Sequence, residues 1–389
     1  MSLLKDSLVK TTLNQINPYS IFSKLIRSDG ENIFFKDEKL LKPKGKIFIF
    51  GVGKSASFEV DALYRELSQS CLKQKLEDPF SYTKWGHTVK ANFEQLEGDH
   101  PYISEHNLKM TEKFLKKIET ITKDDLLIFC LSGGASSLLE KTPSSLSFKE
   151  LKEKHRQLLH SEKSINEINE IRKSLSLVKN GGLLNWIHTD NILHLVNCDI
   201  PNEKIESVGS SPLLSFLSPT KIKSIKWNSP SLFLERFSQN SPLPCTLKKV
   251  YDCSFKKFLD DIEKNLPKEG QLSISAGETP FQLPSHAKKG GRNTHTVLAL
   301  AEKIYKNDNN KDIHIQCMGT DGTDGPTDAA GAYINYKIYK NCENSKHFLH
   351  DFNSYEYFQK LGTLIKTGPT MSNVTDFRCL WRDSTGNKV

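Results

Sequence analysis

Twice in its first 140 residues the chain repeats one local plan: a short apolar run, a glycine-rich turn, then a helical pattern. Lys46-IFI-Phe50 empties into Gly51-Val-Gly53-Lys54-Ser55-Ala56, and Asp124-DLLIFC-Leu131 empties into Ser132-Gly133-Gly134-Ala135-Ser136-Ser137. A strand apolar on both faces needs cover on both faces, and a helix after each strand supplies it. The plan therefore predicts an α/β chain built on a doubly wound parallel sheet. Ligands of such sheets collect at the carboxyl ends of the strands. A third apolar run, Ile192–Asn197, leads into Cys198-Asp199 and sets a carboxylate at such an end.

With 389 residues the chain exceeds one typical domain, and two α/β domains are expected. Between about 215 and 250 the sequence turns rich in Ser, Pro and Lys and loses its periodicity, so the domains are read as 1–240 and 241–389. Beyond that stretch come a helix around Ser254–Asn265, a strand at Leu272–Ser275, a helix from Asn293 to Lys306 and a strand at Ile313–Cys317. The formal charge of +8 is spread over scattered lysines without interleaved aromatics, which argues against a nucleic-acid partner. Eight cysteines without short paired spacings, two of them inside core strands, point to reduced thiols and a cytoplasmic protein. No apolar run approaches a membrane span, and charge interrupts the opening MSLLKDSLVK too early for a signal peptide.

The first turn satisfies G-x-G-x-x-A and ends in Gly-Lys-Ser like a phosphate loop. Yet Phe48 stands where that loop needs glycine, and no acidic residue completes the dinucleotide fingerprint. Both patterns share glycines that let amides approach an anion at a helix start, and Lys54 adds a mobile charge. Ser132–Ser137 forms a second nest with hydroxyls in place of a cation; helix capping by Ser132 or Ser136 explains it equally well. In Ser164–Lys179 a helix is expected, with Asn169, Arg172, Ser176 and Lys179 inside about 80° of arc beside an apolar face. Lys288-Lys-Gly-Gly-Arg292-Asn293 offers a guanidinium suited to phosphate or carboxylate before another helix. The loop after Cys317 holds Asp321, Asp324 and Asp328 among Gly322, Gly325 and Pro326, suited to a hard cation or a hydroxyl proton. It is no EF-hand, because the twelfth position from Asp321 is Ala332.

In order along the chain, GVGKSA, His100-Pro101, SGGASSLL, EINEIRKSLSLVKNGG, Asp199-Ile-Pro, the GET of Gly277–Thr279, GGRN, GTDGTDGPTDAAGA and TGPTMSNV resemble the class II glycerate kinase family. These are glycerate 2-kinases with a MOFRL-type C-terminal domain. The resemblance implies a Rossmann-like N-terminal domain, a smaller α/β C-terminal domain and an active site in the cleft between them. It further implies ATP-dependent phosphorylation of D-glycerate to 2-phosphoglycerate by a monomer or homodimer. By position, Lys54 matches the family's catalytic lysine, Arg292 the arginine of GGRN, and Asp321 the acidic segment facing nucleotide and metal. Substrate and nucleotide contacts are expected from Gly53, Ser55, Ser132, Gly133, Gly134, Ser136, Asn169, Arg172, Lys179, Asp199, Glu278, Asn293, Asp324, Asp328, Thr367 and Asn373, and Mg²⁺ contacts from Asp321 and Asp324. The chain departs from the family pattern at Asp99, Asn180, Asn202 and Ser211, where the family has glycine, and in GGRNTH for GGRNQE. Two rivals remain at this level: a hydroxypyruvate reductase using NAD(P)H, and a non-catalytic nucleotide or acid binder.

Overall fold

A computed structural model describes residues 2–29, 32–36, 38–41, 43–159, 171, 174–215, 222–370 and 372–383. By its contacts the chain divides into two units, Pro18–Cys198 with Lys204–Trp227, and Met1–Asn17 with Asp199–Glu203 and Asn228–Val389. The division falls at Trp227 instead of near 240, and the second unit recruits the first helix and a five-residue excursion after Cys198.

Helix α1 (Ser2–Ile16) is followed at once by α2 (Pro18–Leu25), because Pro18 cannot donate to a preceding turn but suits the first position of a helix. Three short antiparallel strands, β1 (Ile26–Ser28), β2 (Ile33–Phe35) and β3 (Glu38–Leu41), lead to the main sheet of this unit. That sheet holds β4 (Ile47–Val52), β5 (Phe80–Lys84), β6 (Glu94–Gly98), β7 (Leu126–Leu131), β8 (Ile192–Asn197) and β9 (Lys223–Asn228) in the order β6-β5-β4-β7-β8-β9. Pairings β6–β5, β5–β4, β4–β7 and β7–β8 are parallel. The winding reverses between β4 and β7, so a crevice is expected where their carboxyl ends diverge. Helix α3 (Ala56–Ser68) follows β4, α4 (Glu105–Ile118) follows β6 and packs Phe114 against Phe50, Phe80 and Phe129 of β4, β5 and β7, and the four-residue α5 (Ala135–Leu138) follows β7. Every residue of β7 and β8 is buried, which is why β7 reads as an unbroken apolar run and β8 as a mostly apolar one carrying His194. Helix α6 (Phe148–Leu159) comes next.

From Lys223 onward the stretch read as a loose connector is regular structure. After β9 come α7 (Pro230–Asn240) and β10 (Cys245–Asp252). Ser229 caps α7 by accepting from the Leu232 amide at 3.3 Å, and Pro230 opens it, so the Ser-Pro pair is a helix start. Strand β10 sits at a sheet edge with few buried residues, which hid its pattern.

The second unit adds α8 (Phe255–Lys264), β11 (Leu272–Glu278), α9 (Arg292–Ile304), β12 (Ile313–Gly319), β13 (Gly331–Asn335), β14 (Leu364–Ile365) and β15 (Asp376–Arg382), its sheet running β10-β11-β15-β12-β13-β14. Only β10–β11 is parallel. Alternation along β15 sends Phe377, Cys379 and Trp381 into a core with Leu8, Phe233 and Phe237, and Leu380 into the opposite core with Val297 and Phe258. Among the described residues no helix is long and apolar enough to cross a membrane.

Candidate functional site: two clusters at strand ends

After β4 the backbone turns at Gly53 with φ +130°. A Cβ there would lie 2.3 Å from Ser132 Oγ and 2.5 Å from the Ser132 carbonyl oxygen, so only glycine lets the turns after β4 and β7 touch. The amides of this first turn do not face a ligand. Gly53 donates to Tyr82 O (3.0 Å), Lys54 to Gly133 O (2.8 Å), Ser55 to Ser132 Oγ (3.3 Å) and Ala56 to Gly53 O (3.2 Å). The expected anion cradle at GVGKSA is therefore closed by its own neighbour. The fully buried Ser55 hydroxyl donates to Glu59 and accepts from Asn197 Nδ2 (3.1 Å), tying α3 to β8. Ser55 and Ser132 hold the turn; neither points outward.

The second turn is the open one. The amides of Gly133, Gly134, Ala135 and Ser136 have no hydrogen-bond partner among the described residues, and Gly134 is left-handed with φ +85°. Two side chains cross it: a Cβ on Gly134 would lie 2.9 Å from Lys54 Cγ and 3.0 Å from His100 Cδ2. Gly134 and Ser136 border a cavity of about 1190 Å³ that also takes in Lys84, Trp85, Asp99, His100, Tyr102, and Phe148, Leu151, Lys152 and Arg156 of α6. Ser136 Oγ shares a 2.7 Å hydrogen bond with Ser210 Oγ. Burial, followed by the charges of Lys54 and Lys84 and by His87, pushes the His100 imidazole down to about 4, so it is neutral near pH 7.

Of the expected polar helix stripe, Asn169 and Arg172 lie outside the described residues. Ile171 and Ser174 are helical, but the chain has left the helix by Leu175, so Lys179 lies on a turn. Its ammonium is buried against Glu140, itself fully buried, and so cannot face a ligand as the stripe predicted. This pair anchors a turn whose Asn180 and Gly181 amides donate to Ser210 O (3.0 Å) and Ser211 O (2.8 Å). Asn180 (φ 50°) and Ser211 (φ 57°) are both left-handed, which gives a backbone reason for glycine at these positions in the family. Asp99 and Asn202 do not have positive φ.

In the second unit β11 ends at Glu278, β15 begins at Asp376, and Asp376 pairs with Gly319 at the end of β12. Arg292, first residue of α9, reaches across these ends to Glu278 Oε1 (3.2 Å) and Asp376 Oδ2 (3.0 Å) with 42% of its side chain exposed. Burial opposes its charge, but Asp376 and Glu278 outweigh that and hold the guanidinium above its ordinary range. Asn293 Nδ2 donates to Asp376 Oδ1 (2.8 Å). The two carboxylates fix the arginine's stem and fork while leaving part of it open to solvent.

The three loop aspartates diverge in role. Asp324 is buried and caps α9: it accepts from Asn293 N (2.7 Å), Thr294 N (2.8 Å) and Thr294 Oγ1 (2.7 Å). Burial raises its carboxyl to about 6 against the pull of those bonds. Its oxygens are spent, so the expected magnesium contact does not fit Asp324. Asp328 turns to Tyr355 (2.6 Å) and Lys366 (2.8 Å) on the surface, away from the others. Asp321 accepts from Thr323 N and Oγ1 (both 3.0 Å) through Oδ1 and leaves Oδ2 without a hydrogen bond to a described residue. Thr367 packs beside it, since a Cβ on Gly322 would meet Thr367 Oγ1 at 3.0 Å. Asp199 and Asn373 pair at 3.0 Å, and Thr320, next to Asp321, donates to Asn373 Oδ1 (3.4 Å). Among the described residues no three His, Cys, Asp or Glu side chains converge as a metal cage. A single carboxylate oxygen fits magnesium that arrives on nucleotide phosphates.

Three contributors escaped the sequence-level list. His100 was visible only as part of His-Pro; Asp376 opens a strand, a position that holds no turn signal; Glu140 follows an apolar run that gives no hint of its buried lysine partner.

Taken together, the units define a two-part α/β protein with an amide nest beside a lysine on one sheet, and on the other a carboxylate-braced arginine with an aspartate that keeps one oxygen unengaged by the described residues. Residues 4–225 match the family described as "Domain of unknown function (DUF4147)", and residues 271–376 match the MOFRL family. The chain belongs to this family, the glycerate kinase family with a MOFRL C-terminal domain. It is 28% identical to D-glycerate 2-kinase of Thermotoga maritima over 85% of this chain and 89% of that one. It is 25% identical to a putative hydroxypyruvate reductase of Agrobacterium vitis, covering 97% of each. The solved structure of glycerate kinase from Thermotoga maritima superposes with a TM-score of 0.80 at 24% identity, covering 97% of this chain and 98% of that one, a likeness of fold.

Proposed function

We propose that the chain is an ATP-dependent glycerate kinase that moves the γ-phosphoryl group of magnesium-bound ATP to the 2-hydroxyl of D-glycerate. The observation that carries this reading is the nest after β7: four unpartnered amides beside the Lys54 side chain at the switch of a parallel sheet. Donors fixed before a ligand arrives suit an oxyanion or phosphate and need no reorganisation during transfer. The cavity is several times larger than a three-carbon acid requires and has room for a nucleotide.

Phosphoryl transfer depends on positioning and charge neutralisation, and the residues divide accordingly. Lys54 and Arg292 neutralise charge on the transferring group. The Gly133–Ser136 amides hold an anion, and Asp321 Oδ2 takes one magnesium position. Each cluster is read with its own unit, the amide nest with a Rossmann-like domain and the braced arginine with the MOFRL domain. The protein is taken to work in the cytoplasm, as a monomer or homodimer. Pyrophosphate binding at GVGKSA, which a dinucleotide-dependent reductase needs, finds the turn amides already occupied.

The test is purified protein with D-glycerate, ATP and Mg²⁺, following ADP and identifying the phosphoglycerate isomer, beside hydroxypyruvate with NADH. ADP and 2-phosphoglycerate formed only with glycerate support the kinase. NADH loss would establish the reductase, and ligand binding without turnover a non-catalytic binder.

A further inference from the structure

We propose that His100 is the general base of the transfer, its Nε2 taking the proton from the substrate hydroxyl; this rests on the kinase reading above. The imidazole lines the cavity and crosses Gly134 beside Lys54, with Nε2 3.2 Å and Lys54 Cγ 2.9 Å from where a Cβ on that glycine would stand. An attacking oxygen held at Nε2 is thus next to the side chain that would meet the phosphoryl group. His100 makes no hydrogen bond to any described residue, unlike His87, whose Nδ1 is engaged by the Lys54 carbonyl at 3.0 Å. A ring placed at a ligand cavity with its edge unengaged is free to accept.

Burial first, and then the charges around it, set which form the ring takes. Lys54 comes from the turn after β4, Lys84 and His87 from the end of β5 and its following turn, and Lys152 and Arg156 from α6 across the cavity; Asp99 is the neighbouring carboxylate, engaged by Trp85 Nε1 at 3.1 Å. Burial, and after it Lys54, Lys84 and His87, keep the imidazole neutral, so it cannot serve as one more anion clamp but can accept a proton. A base this weak is sufficient where the hydroxyl proton leaves late, as it does for the aspartate of protein kinases. The step balances. The 2-oxygen forms its bond to γ-phosphorus, the bond from γ-phosphorus to the β,γ-bridging oxygen breaks with its electron pair leaving on ADP, and the hydroxyl proton passes to Nε2 and then to solvent. Asp321 is left to magnesium.

The experiment uses full-length His100→Ala and His100→Gln with ATP, Mg²⁺ and D-glycerate, measuring kcat, each KM and the melting temperature, then adding free imidazole to the alanine variant. Expected are a roughly 100-fold fall in kcat, KM values within about threefold, unchanged melting, and recovery of at least about tenfold by imidazole, which the cavity admits. A kcat within threefold of wild type, or a loss carried by KM and untouched by imidazole, overturns the proposal while the kinase reading stands. Should both variants unfold, the wild-type profile decides: kcat constant down to pH 5 and falling below it supports His100, and a kcat constant to pH 3.5 refutes it. Wild-type protein that forms no ADP with glycerate removes the kinase reading itself, and the proposal with it.

Discussion

Lys54 is the residue on which the first cluster depends, and its substitution separates charge from packing. Its stem lies over Gly134 and its backbone is fixed at both ends, the amide on Gly133 and the carbonyl accepting from Thr83 (3.3 Å) and His87 (3.0 Å). Loss of the ammonium leaves that frame in place. Lys54→Ala is therefore expected to lower kcat at least tenfold, about 1.4 kcal/mol of transition-state stabilisation, with little change in melting temperature. Unaltered turnover would remove Lys54 from the reaction. Gly53 gives the opposite result. Gly53→Ala drives a methyl group into the Ser132 backbone at a φ that disfavours any side chain, so melting should drop by several degrees, a loss of about 2 kcal/mol or more, read by thermal denaturation.

At the scale of elements, helix α9 begins on a carboxylate supplied from outside it. Asp324 satisfies the Asn293 and Thr294 amides, and that fixes the first turn from which Arg292 projects. Asp324→Ala strands two buried donors and should cost about 2–4 kcal/mol, with kcat falling too because Arg292 loses its mount. The pH dependence has a definite sign. The folded carboxyl titrates at about 6 against an ordinary 3.8, so the folded state binds more protons between these values. Stability from this group is present below 3.8 and is lost as pH rises through 6, about 3 kcal/mol in all. Asp324→Asn should abolish that slope in urea titrations between pH 4 and 6.5, and an unchanged slope would show that another group sets it. The same loop shows how much the sequence could reveal. Strands β4 and β7 and their turns were legible because each is an apolar run followed by glycine, and β8 and β12 because their buried stretches are mostly apolar in spite of His194, His314 and Gln316. The separation of Asp321, Asp324 and Asp328 was not, since spacing places acids on one loop but cannot say which one turns inward under a helix. Nor could it show that GVGKSA spends its amides on SGGASS: that closure is made between residues about eighty positions apart. In the connector, Ser229-Pro230 did carry a helix start, but exposed β10 had no apolar periodicity to declare it.

Across the whole molecule, each unit carries a histidine that its core keeps uncharged. In the first, His194 lies on strand β8, between β7 and β9, fully buried, touching Ser224 Oγ at 3.1 Å, and burial lowers its imidazole to about 3. In the second, His295 of α9 stacks on Phe352 at 4.4 Å and 5° among Phe255 and Phe281, and burial lowers it to about 4. Both values fall below the ordinary 6.5, so the unfolded chain binds more protons throughout the interval and stability drains away as pH falls from 6.5 toward 4. At about 1.4 kcal/mol per pH unit, His295 alone accounts for about 3 kcal/mol and His194 for a similar or larger sum. Protonation of Asp324 over part of the same range works in reverse, by about 3 kcal/mol, and two imidazoles outweigh one carboxyl. Urea midpoints should therefore fall steadily between pH 6.5 and 4.5. His295→Phe, which keeps the ring cluster and removes the titration, should flatten that fall by about 2–3 kcal/mol, and His194→Leu by a similar or larger amount, with His100 carrying part of what remains. A midpoint that stays constant over this range in the wild-type protein would mean that both imidazoles titrate near their ordinary value, and that water reaches the two cores.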